Sequence, residues 1–182
     1  MGQIKEPTPV KLVVSMFTGD PTLFDLAQAR MATLWGEVDF VSEIFPFEHT
    51  DYYTPEFGPN LLRRFATFAR LIDPGRLAEI KHAANALEQE WLDGHRRRIN
   101  LDPGYVSLSK LVLASTKDHA HRVYLGQGIY GEVTLCYRHK KFSPWPWTYP
   151  DYASPPYLAL FEGIRQRYAA QLRGLKDPAE NQ

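Results

Sequence analysis

The chain has one cysteine in 182 residues. That excludes an internal disulfide, and no Cys/His spacing suggests structural zinc. Cys136 sits in the apolar run "GEVTLCY", where a small buried hydrophobe is the natural reading. No apolar run approaches the ~20 residues of a membrane-spanning helix. Met1 to Val10 has neither the basic nor the apolar region of a signal peptide. With a lone free thiol, a cytoplasmic protein with no membrane partner is expected. No repeat or low-complexity tract is visible. Net charge is also missing, with 21 basic and 21 acidic residues. A neutral total disfavours nucleic-acid binding through a broad basic surface.

The charge that is present is unevenly placed. Residues 1–60 hold three Lys/Arg and nine Asp/Glu, whereas residues 95–141 hold nine Lys/Arg and three Asp/Glu. A basic half invites an anionic ligand, and an acidic half can neutralise it within the fold.

Element signals are clear in most places. "VKLVVSMF" reads as a strand ending at "TGDP". "DPTLFDLAQARMATLWG" reads as a helix capped by Asp20, opened by Pro21 and ended by Gly36. "VDFVSEIFPF" alternates as a strand. "LLRRFATFARLI" (61–72) fits either period, and its Phe and Thr content favours a strand. "DPGRLAEIKHAANALEQEWLDG" is the clearest helix, capped by Asp73 and stopped by Gly94. "RRINLDPGYVSLSKLVLAS" supplies strand, turn, strand, with the turn at Asp102-Pro103-Gly104. "HRVYLGQGIYGEVTLCYR" is a hairpin bent at "GQG". An aromatic, proline-rich coil "KKFSPWPWTYPDYASPP" leads to a last helix capped by Ser154. This order predicts an α+β fold: a ferredoxin-like split β-α-β core, a largely antiparallel sheet with helices on one face, and a C-terminal β-hairpin and helix. One domain over 1–182 is expected, with flexible ends at 1–9 and 175–182.

The segments "PVKLVVSMF", "HTDYYTPEFG", "IDPGRLAEIKHAANALE", "INLDPGYVSLSKLVLAST", "KDHAHRVYLGQGIYGEVTL" and "WTYPDY" resemble a bacterial family known as domain of unknown function 4416. The resemblance spans nearly the whole chain and implies no established activity. Some family members carry an automatic GTP-binding label. The residues here do not support a conventional GTPase. There is no G-x-x-x-x-G-K-[ST] string to wrap phosphates. In "TKDH" the aspartate of an Asn/Thr-Lys-x-Asp guanine-reading motif would stand one residue early.

Several candidates for chemistry remain. In "TKDHAHR", Lys117, His121 and Arg122 offer donors to a phosphate or carboxylate, and histidine is the natural proton shuttle near neutral pH. Lys110 adds to this cationic stretch. His119 and His121 would share one strand face. Glu132 lies in an apolar strand, either on a solvated face or opposite Arg122 or Tyr124 across the hairpin. Asp102 is either a turn cap or a carboxylate free for a proton or metal. His49, Asp51, Tyr52, Tyr53 and Glu56 form a polar loop able to hold a divalent cation, the one cofactor suggested. Lys81, Asn85 and Glu88 share a helix side, which reads as an exposed edge.

Together these point to a small-molecule site for a phosphorylated or nucleotide-like anion, with His121, Glu132 and Asp102 as catalytic candidates. Arg122, Lys117, Lys110, Tyr124 and Glu56 would be its ligand contacts. Whether it is an enzyme is left open. The alternative is an interaction module or homodimer using the aromatic segment 145–152. A tension attends the joint site: if "LSKLVLAS" is one strand, its eight residues hold the turn at Pro103-Gly104 and the bend at Lys117-Asp118 about 26 Å apart, too far for the two ends to meet.

Overall fold

The computed structural model describes residues 2–47 and 54–176. Along the chain run β1 (Lys11–Thr18), α1 (Thr22–Trp35), β2 (Val38–Val41), β3 (Phe45–Pro46), α2 (Thr54–Phe57), β4 (Leu62–Phe68), α3 (Leu77–Glu88) and β5 (Ile99–Val106). There follow β6 (Lys110–Ser115), β7 (Arg122–Gly126), β8 (Ile129–Arg138), β9 (Lys141–Pro144) and α4 (Pro155–Lys176). The strands make one antiparallel sheet in the order β2-β4-β1-β5-β6-β8-β7, with β3 beside β4 and β9 beside β8.

The first half is the expected split core. Its strands lie as β5-β1-β4-β2, so the first and third are neighbours and each crossover carries a helix. β1 is buried on both faces because it lies between two cores. Leu12, Val14 and Met16 pack with residues of α1 and α3. Val13 packs from the opposite face with Phe65, Val106 and Phe161 and Ile164 of α4. The core helices thus share one face, and α4 closes the other.

Local chemistry sets the element ends. Asp20 Oδ1 accepts from the Thr22 amide at 3.1 Å, and Gly36, at φ 95°, ends α1. Asp73 accepts from the Gly75 amide ahead of α3. The ambiguous segment 61–72 contains strand β4, in which Arg63 and Phe65 point to the α4 side of the sheet.

One turn is misplaced by its sequence. "NLDPGY" is not a bend: Asp102, Pro103 and Gly104 lie inside β5, all paired with β1. The chain turns instead at Ser107, whose amide donates to the Lys110 carbonyl at 2.9 Å. Pro103 is tolerated because its missing N–H faces the side where β6 departs from β5. Pairing of those strands stops at Gly104↔Leu113. Gly104 is required by space: a Cβ there would collide with the Val112 carbonyl oxygen and lie 2.7 Å from Leu113 Cδ2.

Candidate functional site

Moving the turn brings β6 back alongside β5, so the expected 26 Å separation does not arise. Continuing the register past Gly104↔Leu113 puts Asp102 level with Ser115. The two strands part there, and a cavity of about 780 Å³ opens between them, walled also by α3 and segment 149–152.

The β5 wall is held by side chains in place of a strand. Leu101 turns its backbone away from β1. Its amide donates to Glu88 Oε1 at 2.7 Å, and its carbonyl accepts from Lys81 Nζ at 3.0 Å. The side shared by Lys81, Asn85 and Glu88 is therefore no exposed edge. Lys81 and Glu88 are buried, and all three line the cavity. Lys81 also donates to Asp102 Oδ1 at 2.9 Å, and Asn100 Nδ2 donates to Asp102 Oδ2 at 2.7 Å. Arg97 grips Glu56 through two hydrogen bonds of 2.7 and 2.8 Å, and its Nη1 reaches Glu88 and Asn100.

These partners decide the protonation tendencies. Burial pushes the Asp102 carboxyl up, but the Lys81 ammonium, its hydrogen bond and the Arg63 charge outweigh it, so the group stays below the ordinary range. The hydrogen bonds from Arg97 likewise lower Glu56. For Glu88 burial prevails over Lys81 and Arg97, and the carboxyl is raised.

The opposite wall centres on Glu132, which stands directly across from Arg122 in the β7–β8 register and is buried. Its Oε2 is 2.9 Å from Arg122 Nε and 3.0 Å from His121 Nε2, and its Oε1 accepts from Thr134 at 3.1 Å. Arg122 also donates to Ser115 Oγ, the Lys117 carbonyl and Tyr149 Oη, which occupies four of its five N–H groups. Behind Glu132 runs a column of near-parallel rings. His119 stacks on His121 at 5.8 Å, His121 on Trp147 at 5.5 Å, and Trp147 on Trp145 at 5.1 Å. Between the walls Arg63 pairs with Asp151, both buried, and its guanidinium lies 3.8 Å from the centre of the Phe47 ring.

Of the residues expected from sequence to form a site, Asp102, Glu132, Arg122, Lys117 and Glu56 line this cavity. His121 touches it only through Glu132. Lys110 and Tyr124 are not brought there: Lys110 opens β6 opposite Cys136, and Tyr124 is exposed on β7. His49, Asp51, Tyr52 and Tyr53 lie outside the described residues. Lys81, Glu88, Arg97, Arg63 and Asp151 are the wall residues that sequence reasoning missed. Only the helical spacing of Lys81 and Glu88 gave a signal. Among the described residues no three His, Cys, Asp or Glu side chains are grouped to hold a metal ion, and no helix is long and apolar enough to cross a membrane.

Sheet, helices and cavity define an α+β protein with a ferredoxin-like core, extended by further strands whose divergence opens a charged cleft. The chain belongs to the DUF4416 family, a domain of unknown function, whose family model matches residues 8–168. No curated protein and no solved structure matches it.

Proposed function

We propose that the cavity binds a small phosphorylated or nucleotide-like anion. The observation that carries this reading is Arg63. It is 4% exposed and lines the cavity, yet its Nε has no hydrogen-bond partner. A buried guanidinium donor left unpaired is costly, and because Nε itself is closed off from the cavity, a small shift of the side chain toward a ligand oxygen is what would satisfy it. Lys81 keeps one N–H beyond those given to Leu101 and Asp102. The volume lies within the range of small-molecule sites. The support is unspent donors rather than net charge, since the charged side chains named in the walls balance. For proton transfer the reading favours Asp102, ionised and about a third open at 32% exposure. Glu132, His121 and Arg122 hold one another and shape the wall. A cytoplasmic setting, where the Cys136 thiol stays reduced, suits such a ligand.

The test is a thermal-shift screen with nucleotides, sugar phosphates and inorganic phosphate. A ligand at about 100 times its Kd adds roughly 2.7 kcal/mol, a shift of several degrees for a chain of this size. Arg63→Lys keeps the charge but removes Nε, and should weaken binding at least ten-fold. No shift with any phosphorylated compound overturns the proposal.

A further inference from the structure

The gap between β5 and β6 leaves backbone as well as side-chain groups open to the cavity. The Ser107–Lys110 hydrogen bond and the register Gly104↔Leu113 put Ala114 opposite Pro103 at the next position. That position is a hydrogen-bonded one, because paired positions alternate from Ser107 through Tyr105 to Pro103. The Ala114 carbonyl would there accept from residue 103, but proline has no N–H. Ala114 is 5% exposed, and no side-chain donor among the described residues reaches its carbonyl. Two residues on, Thr116 would have paired with Leu101, whose amide and carbonyl are taken by Glu88 and Lys81. The Thr116 amide and carbonyl have no partner among the described residues, and both Ala114 and Thr116 line the cavity. Tyr149 stands at the same cavity, 49% exposed, with its ring available for stacking.

We infer that this broken ladder reads the edge of an aminated nitrogen heterocycle, an aminopurine or aminopyrimidine. The exocyclic amine donates to the Ala114 carbonyl, and the adjacent ring nitrogen accepts from the Thr116 amide. The inference rests on the proposed anion site and names the other end of its ligand.

Binding to the full chain is measured by calorimetry with adenosine monophosphate, its N6,N6-dimethyl analogue, adenosine and ribose 5-phosphate. The dimethyl analogue keeps ring, sugar and phosphate but loses both amine hydrogens, and it should bind at least ten-fold more weakly than the parent nucleotide. Pro103→Ala supplies the missing N–H to Ala114 and should weaken adenosine monophosphate similarly, leaving ribose 5-phosphate unchanged. Equal affinity for the two nucleotides overturns the inference, and so does ribose 5-phosphate binding as tightly as adenosine monophosphate, although the anion site then stands. Adenosine binding as tightly as its monophosphate, with loss on dimethylation, supports the heterocycle and sinks the anion. If Pro103→Ala does not fold, the analogue comparison decides alone.

Discussion

Arg122 and Glu132 face each other across the β7–β8 hairpin, with Nε 2.9 Å from Oε2 and side chains 4% and 2% exposed. A charge pair this deep is held by its partners rather than by water, and deleting one member strands the other. Arg122→Ala leaves Glu132 with only His121 and Thr134, and should cost about 3–5 kcal/mol in urea unfolding. The double variant Arg122→Met, Glu132→Leu should recover most of that loss, because neither charge is then buried. A single variant within 1 kcal/mol of the parent would show that the pair is far better solvated than this geometry implies.

Gly104 is a matter of space rather than of backbone freedom. Alanine there drives its methyl into the Val112 carbonyl and the Leu113 side chain, at the last paired position before the strands part. Overpacking of this kind costs about 1–3 kcal/mol, more where backbone must move. A melting temperature equal to the parent's would mean that the strands already separate one residue earlier.

The same site shows how far sequence carried the fold. The split core was legible because hydrophobic period, caps and proline placement agree in β1, α1 and α3. Segment 61–72 contained a strand because Arg63, Phe65 and Thr67 alternate with Leu62, Arg64, Ala66 and Phe68. "DPG" misled because the residues that make a turn also serve where a strand must give up a neighbour. Proline withholds the N–H and glycine makes room, and only the register separates the two uses. Lys81 and Glu88 showed a shared side, but its burial depends on a gap in a sheet formed 13 residues beyond Glu88. Arg63 and Asp151 are 88 residues apart and carried no local sign of meeting.

Two glutamates of α3 should respond unequally to truncation. Glu88→Ala removes the acceptor of the Leu101 amide and should cost about 1–3 kcal/mol, the penalty of an unsatisfied buried donor. It should also accelerate hydrogen exchange at Leu101 relative to the rest of β5. Glu79 pairs with Arg76 in solvent, and Glu79→Ala should leave the urea midpoint at the parent's value. Unchanged exchange at Leu101 in Glu88→Ala would mean that another group, or β6 itself, takes over that amide.

Asp102 and Glu88 line one cavity, and their displacements in opposite directions give opposite pH signatures. Asp102 is depressed in the fold, its burial outweighed by Lys81 and Arg63. Its contribution is therefore complete above the ordinary aspartate value of about 3.9 and is lost as pH falls through the lower native value. Glu88 is raised, chiefly by burial. Its native form holds the proton longer than the unfolded chain does. The associated stability is thus present below about 4.3 and is lost as pH rises through the higher native value. Stability measured by urea unfolding across this range should separate the two. Relative to the parent, Glu88→Gln should gain stability as pH climbs above the ordinary glutamate value. Asp102→Asn should instead lose ground as pH climbs through the acid range, and then hold a constant deficit. Curves for both variants that run parallel to the parent at every pH would show that neither carboxyl changes its proton affinity on folding.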